Sequence, residues 1–189
     1  TNERDSSPEF NSEFSFSALT ITDNIFLSGA VAPWFSYIVV KPHGAGHFLS
    51  GVSITGNVFR SINGKIDRVE RVDTSFSDLN YGRFTNVTFS DNSFHNIEEK
   101  VFSPLRLRHE EVSASDIWVV EAQGKLPFDA WARSVDSVVA IGPVTTSSGS
   151  KIYANPAVSV EQGANRDFVY LNWPEAVKGE VQLAVRIDD

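Results

Sequence analysis

The chain has 189 residues, 41% hydrophobic and 21% charged, a balance that suits a packed globular chain and argues against disorder. A net charge of −8 disfavours nucleic acid, which needs a basic face, and equally an anionic membrane surface. Cysteine is absent, which removes disulfides, thiolate metal sites and cysteine nucleophiles, and no apolar run approaches the roughly 18 residues of a bilayer span, so no membrane insertion is expected.

The first residues, TNERDSSPEF, are polar and acidic, without signal-peptide character. Methionine is absent throughout, and strand-like sequence begins by Ser15. The start is therefore expected to be a cut inside a larger fold, with further coils upstream.

Three segments then align without gaps: Leu19-Thr-Ile-Thr-Asp-Asn-Ile-Phe26, Val52-Ser-Ile-Thr-Gly-Asn-Val-Phe59 and Val87-Thr-Phe-Ser-Asp-Asn-Ser-Phe94. A period near 34 residues also fits helical tetratricopeptide or ankyrin repeats. The local pattern excludes them, because apolar and hydroxyl residues alternate with period 2 and Thr, Ile, Val and Phe favour strands. Each strand ends at Asp-Asn or Gly-Asn, a pair that tolerates left-handed backbone and turns sharply. Stacked like over like, Asn24, Asn57 and Asn92 can bond as a ladder, with Phe26, Phe59 and Phe94 as an apolar stack inside. This is the pattern of a parallel β-solenoid; three unrelated strands of a sandwich are the competing reading.

Between the copies, Trp34–Val40 reads as a strand, Pro42–Gly46 as a turn and Gly64–Asp73 as the corresponding strand one coil later. Thr74–Gly82 reads as a loop. After Ile97 the repeat stops and Ser103-Pro104 breaks it. Ile117–Ala122, Ser134–Ile141, Phe168–Trp173 and Val181–Ile187 are separate strand-like runs divided by turn-rich stretches, which fits hairpin-linked antiparallel strands in a small sandwich. The expected division is 1–102, coils of a parallel β-helix, and 103–189, an antiparallel capping module. A module of that size needs packing on the coils or on partner subunits, so oligomerisation is expected.

His43 and His47 lie in the glycine-rich loop PHGAGH, read as solvated. Zinc would need a third ligand that the sequence does not indicate, so neither metal nor cofactor is expected. A Gly-x-Ser-x-Gly nucleophile turn is absent. Glycosidic cleavage needs two carboxylates flanking the sugar. Asp23 and Asp91 occupy a position filled by Gly56 in the middle copy, so a turn role explains them. Asp67, Glu70, Asp73 and Asp78 form an acidic group that reads as loop charge or as a sugar-facing patch. Aromatic side chains are the other means of holding carbohydrate, because sugar CH faces pack on rings. Trp34 and Trp131 flank turns and are the best candidates for exposure. The carbohydrate-binding candidates are Trp34, Tyr37, Trp131, Asp67 and Asp73, and no catalytic residue is assigned.

On ALTITDNIF, APWFSYIVVKPHGAGHFLSGVSITGNVFRSINGKIDRVE and NWPEAVKGEVQLAVRIDD, the chain resembles the right-handed parallel β-helix proteins of the pectate-lyase-like group. The resemblance is greater to proteins related to glycoside hydrolase family 28 that accompany alphaproteobacterial prophages and gene transfer agents. It implies an all-β chain, part of a homotrimeric spike on the surface of a phage-like particle. The spike would bind the capsular polysaccharide of a host cell, with other particle proteins as further partners. The Asn-Thr-Asp, Gly-His-Gly and Arg-Ile-Lys motifs of family 28 enzymes are missing, and the one Asp-Asp, Asp188-Asp189, ends the chain. No catalytic residue is carried over. The alternative is the C-terminal part of a depolymerase, a glycoside hydrolase or lyase, with its active site upstream.

Overall fold

The computed structural model describes residues 14–189; the expected cut edge at the start of the chain falls on residues 1–13, outside the described residues. The described chain is all-β, with 3-10 turns at Tyr81–Arg83 and Pro127–Asp129. Its first part carries nine short strands: β1 (Ser15–Ser17), β2 (Thr20–Thr22), β3 (Ile25–Ser28), β4 (Ile38–Val40), β5 (Phe48–Thr55), β6 (Val58–Ser61), β7 (Glu70–Val72), β8 (Thr85–Ser90) and β9 (Ser93–His95).

These strands pair in parallel, with the three copies in register. Ile21 lies opposite Ile54 and Ile54 opposite Phe89 across β2, β5 and β8. Phe26, Phe59 and Phe94 are matched in the same way across β3, β6 and β9, and β4 pairs with β7 in a third parallel sheet. Because side chains alternate along a strand, this register buries Val52, Ile54, Val87 and Phe89 on one side. The same positions of the first copy lie on β2, the last strand of this sheet among the described residues, where Leu19 is exposed.

The junction after each strand explains its residues. Asp23, Gly56 and Asp91 all have left-handed backbone, with φ of 55°, 69° and 57°. A Cβ on Gly56 would run into the carboxylate of Asp23 stacked on it, which accounts for glycine in the middle copy. The ladder follows directly. The backbone N–H of Asn24 donates to Asn57 Oδ1 at 3.0 Å and its Nδ2 does so at 3.2 Å. Asn57 donates in the same way to Asn92 Oδ1, at 2.9 and 3.0 Å. The rings of Phe26 and Phe59 stack at 4.9 Å and 9°, those of Phe59 and Phe94 at 5.9 Å and 18°.

The second part contains β10 (Leu105–Glu121), β11 (Ser134–Ala140), β12 (Val144–Thr146), β13 (Lys151–Ile152), β14 (Ala157–Gln162) and β15 (Phe168–Arg186). They form one hydrogen-bonded six-stranded sheet, in which β10, β11, β12 and β14 all pair with β15 and β13 pairs with β12. β10 lies on one side of β15, while β14, β12 and β11 take successive stretches of the other side. The two runs expected at 168–173 and 181–187 are thus a single strand. Pro174 does not end it, because it falls in the gap between Asn172 and Val177, where the pairing with β10 is irregular and no ladder partner needs its missing N–H.

The two parts share one buried core. The outer edge of β8 is covered from the second part: Phe89 and Ser103 exchange backbone bonds of 2.9 Å, and the Val87 N–H donates to Asp188 Oδ2 at 2.6 Å. No helix among the described residues is long and apolar enough to cross a membrane.

Candidate functional site

A cleft of about 450 Å³ opens where the loop after β7 meets the connections β10–β11 and β14–β15. Asp78 and Tyr81 come from the first, Leu126, Asp129, Ala130 and Trp131 from the second, Asn165 and Asp167 from the third. Asp129 of its floor and Phe128 just before it, which does not line the cleft, are two consecutive non-glycine residues with left-handed backbone, φ 53° and 62°. Such conformations cost roughly 1–3 kcal/mol each unless their surroundings hold them. Here the Phe128 ring is buried edge-on to Phe89 at 6.5 Å, and its N–H donates to Glu70 Oε2 at 2.9 Å.

Glu70, expected among loop charges, is fully buried. Burial pushes its carboxyl up to about 7, against the opposing pull of Arg68 and of the Phe128 N–H. Arg68 donates to Glu70 Oε1 through Nε at 3.1 Å and Nη2 at 2.7 Å, and its Nη1 pairs with Asp129 and, at 3.7 Å, with Glu99. Both Glu70 oxygens are therefore occupied away from the cleft, which does not suit a general acid.

Three aspartates line the cleft, and no lysine, arginine or histidine does among the described residues. Asp78 Oδ1 accepts from the Tyr81 hydroxyl at 2.9 Å and the Leu79 N–H at 2.7 Å. Burial and this acceptor raise the Tyr81 pKa, keeping the phenol protonated. Asp167 Oδ1 is buried without a hydrogen-bond partner among the described residues. Trp131 is half-buried; it meets the ring of Tyr81 at 5.8 Å and carries the Arg166 guanidinium 4.1 Å from its centroid. Arg166 is itself exposed and held to Glu161 at 3.6 Å. Such a cleft offers a half-buried indole and carboxylate acceptors to a ligand rich in hydroxyl or ammonium donors, and its acidic lining disfavours an anion.

Of the five carbohydrate-binding candidates Trp131 alone lines this cleft, together with Asp78 from the acidic group that the sequence read as loop charge or a sugar-facing patch. Trp34 is 65% exposed on another part of the surface, with Arg71 5.7 Å from its ring. Tyr37 is turned into an aromatic cluster with Phe26, Phe35 and Phe59, and its hydroxyl donates to the Arg60 carbonyl at 2.8 Å, so its ring is committed to packing. Asp67 and Asp73 flank opposite ends of β7 and are not brought together. Asp67 is exposed; Asp73 pairs with Lys41 at 3.3 Å and accepts from Ser75 N–H at 3.1 Å, and the bonds to Ser75 hold its carboxyl down at about 2. His47, expected in a solvated loop, is buried, with Nδ1 3.0 Å from the Phe14 carbonyl oxygen and its ring between Phe14 and Phe16. Among the described residues no three His, Asp or Glu side chains are placed so that they could hold a metal ion together. The sequence reading missed Tyr81, Asp129, Asn165 and Asp167, which no spacing or motif joins to Trp131.

No family model matches the chain, and neither the curated proteins nor the solved structures contain a significant match to it.

Proposed function

We propose that the chain is the polysaccharide-binding part of a homotrimeric spike on the surface of a phage-like particle. In this reading residues 1–102 are coils of a right-handed parallel β-helix, and 103–189 are its capping and trimerisation module. The parallel in-register pairing of the three copies supports the β-helix. Exposed Ile117 and Val119 on β10, Val139 on β11 and Ile141 just after it support an oligomer, since together they leave apolar surface on the antiparallel sheet. The particle and its host rest on the family resemblance.

The observation that carries ligand binding is the cleft of Trp131, with its ring, its carboxylates and no lysine, arginine or histidine in the lining among the described residues. It fits a neutral or amino-bearing glycan better than a polyanionic one. The convergence of Asp78, Asp129 and Asp167 on that cleft favours a second reading, the C-terminal part of a depolymerase. One experiment separates them: capsular polysaccharides of different charge are passed over immobilised protein, and the eluted polymer is assayed for new reducing or unsaturated ends. Retention without new ends is expected. Shortened polymer, lost in Asp129→Asn or Asp167→Asn, would establish the depolymerase, and failure to retain any glycan would sink the binding reading. A monomer mass by light scattering at micromolar concentration would remove the trimer.

A further inference from the structure

We propose that Arg68 and Glu70 are positioning residues for the cleft: they hold the segment 126–131 in the backbone shape that presents Asp129 and Trp131 to a ligand. The inference rests on reading this cleft as the glycan site, and neither residue lines it. Three anchors reach the segment from β7 and the residue two before it. Arg68 Nη2 donates to the Leu126 carbonyl at 2.9 Å, the Phe128 N–H donates to Glu70 Oε2 at 2.9 Å, and Arg68 Nη1 pairs with Asp129. The segment's own backbone bond across its turn is that of Ala130 N–H to the Pro127 carbonyl, at 3.2 Å. One such bond does not fix two adjacent left-handed residues, neither of them glycine. β7 is itself fixed, because it pairs in register with β4. The anchors thus tie the cleft floor to the parallel stack.

The test needs no ligand. The four tryptophans of the full chain are replaced by 5-fluorotryptophan and followed by ¹⁹F NMR, with the Trp131 resonance assigned by Trp131→Phe. Glu70→Gln keeps the size but turns an amide donor toward neighbours that only donate. The expected result is a displaced Trp131 resonance, an unmoved Trp34 resonance and Phe128 amide exchange about tenfold faster, the loss of one charge-assisted bond. A second variant, Arg68→Met with Glu70→Leu, replaces a buried ion pair by apolar groups and should recover thermal stability. It supplies no anchor, so its Trp131 resonance should stay displaced. A purely structural pair would restore the two together. A wild-type Trp131 resonance in either folded variant overturns the proposal. Should neither variant fold, the wild-type Phe128 amide decides: slow exchange supports the anchor, and exchange at the solvent rate overturns it. Failure of the glycan reading shows separately, as wild-type protein that retains no polysaccharide.

Discussion

Replacing Asn57 by Asp changes one atom at the centre of the ladder. Asn57 is fully buried, and its Nδ2 faces three acceptors: the carbonyls of Ile21 at 2.9 Å and Thr55 at 3.1 Å, and Asn92 Oδ1 at 3.0 Å. Its Oδ1 serves the two donors of Asn24 and would continue to do so. The substitution therefore turns an oxygen toward three oxygens. An unsatisfied buried polar group costs about 1–3 kcal/mol, and an ionised carboxylate in a dry site relieves part of the conflict by taking up a proton. The expected loss at pH 7 is about 3–5 kcal/mol, a large share of the roughly 5–15 kcal/mol that stabilises a domain. For a chain of this length it should appear as a melting temperature about 6–20 °C lower, and as a lower urea midpoint with unchanged slope. Asn24→Asp is the internal control. Asn24 is exposed, and its Nδ2 donates to Thr22 O at 2.8 Å besides Asn57, so the loss there should be below about 1 kcal/mol. Loss of under about 1 kcal/mol in Asn57→Asp, or equal losses at both positions, would refute the ladder as a source of stability.

Phe59→Ala, which empties the middle of the ring stack, should cost about 3–5 kcal/mol in urea unfolding, against clearly less for half-buried Phe26→Ala. Gly56→Ala should cost about 1–3 kcal/mol, and less than additively with Asp23→Ala, since the second change removes the carboxylate that the new methyl meets. Because burial raises Glu70 to about 7, its contribution to stability is fully present below about pH 4.5 and is lost as pH rises through about 7. Unfolding measured from pH 5 to pH 8 should show wild type losing stability, on the order of 3 kcal/mol at most, relative to the Arg68→Met, Glu70→Leu variant. Trp131→Ala should weaken glycan retention several-fold, by about 1–2 kcal/mol, while Asp67→Asn and Asp73→Asn, both outside the cleft, leave it nearly unchanged.

The parallel part was legible because its information is local and repeated. Three matched segments determine which residues align, and Asn and Phe can be matched only in register. The antiparallel part was less so: Trp173-Pro174 reads as a strand end, and only the position of a register irregularity in a partner strand far away in sequence makes the proline harmless. The cleft was least legible. Asp78, Trp131 and Asp167 meet through tertiary packing, and the left-handed Phe128 has no sequence signal, since its N–H donates to a carboxylate, that of Glu70, far away in sequence. Glu70 itself looked like a loop charge because nothing near it in sequence reveals that Arg68 and the Phe128 N–H will surround it.

The ladder also has a direction. Asn24 donates to Asn57 and Asn57 to Asn92, each through its backbone N–H and its side-chain amide, and every acceptor is the oxygen of the later copy. The amide dipoles therefore point one way along the stack, which makes its two faces chemically unlike. A strand that extended it beyond β2 would have to bring donors to meet the Asn24 side. Two copies meeting there about a two-fold axis would present identical faces and set acceptor against acceptor. The polarity of a few asparagine amides thus admits head-to-tail growth along this axis and disfavours symmetric end-to-end pairing through the ladder.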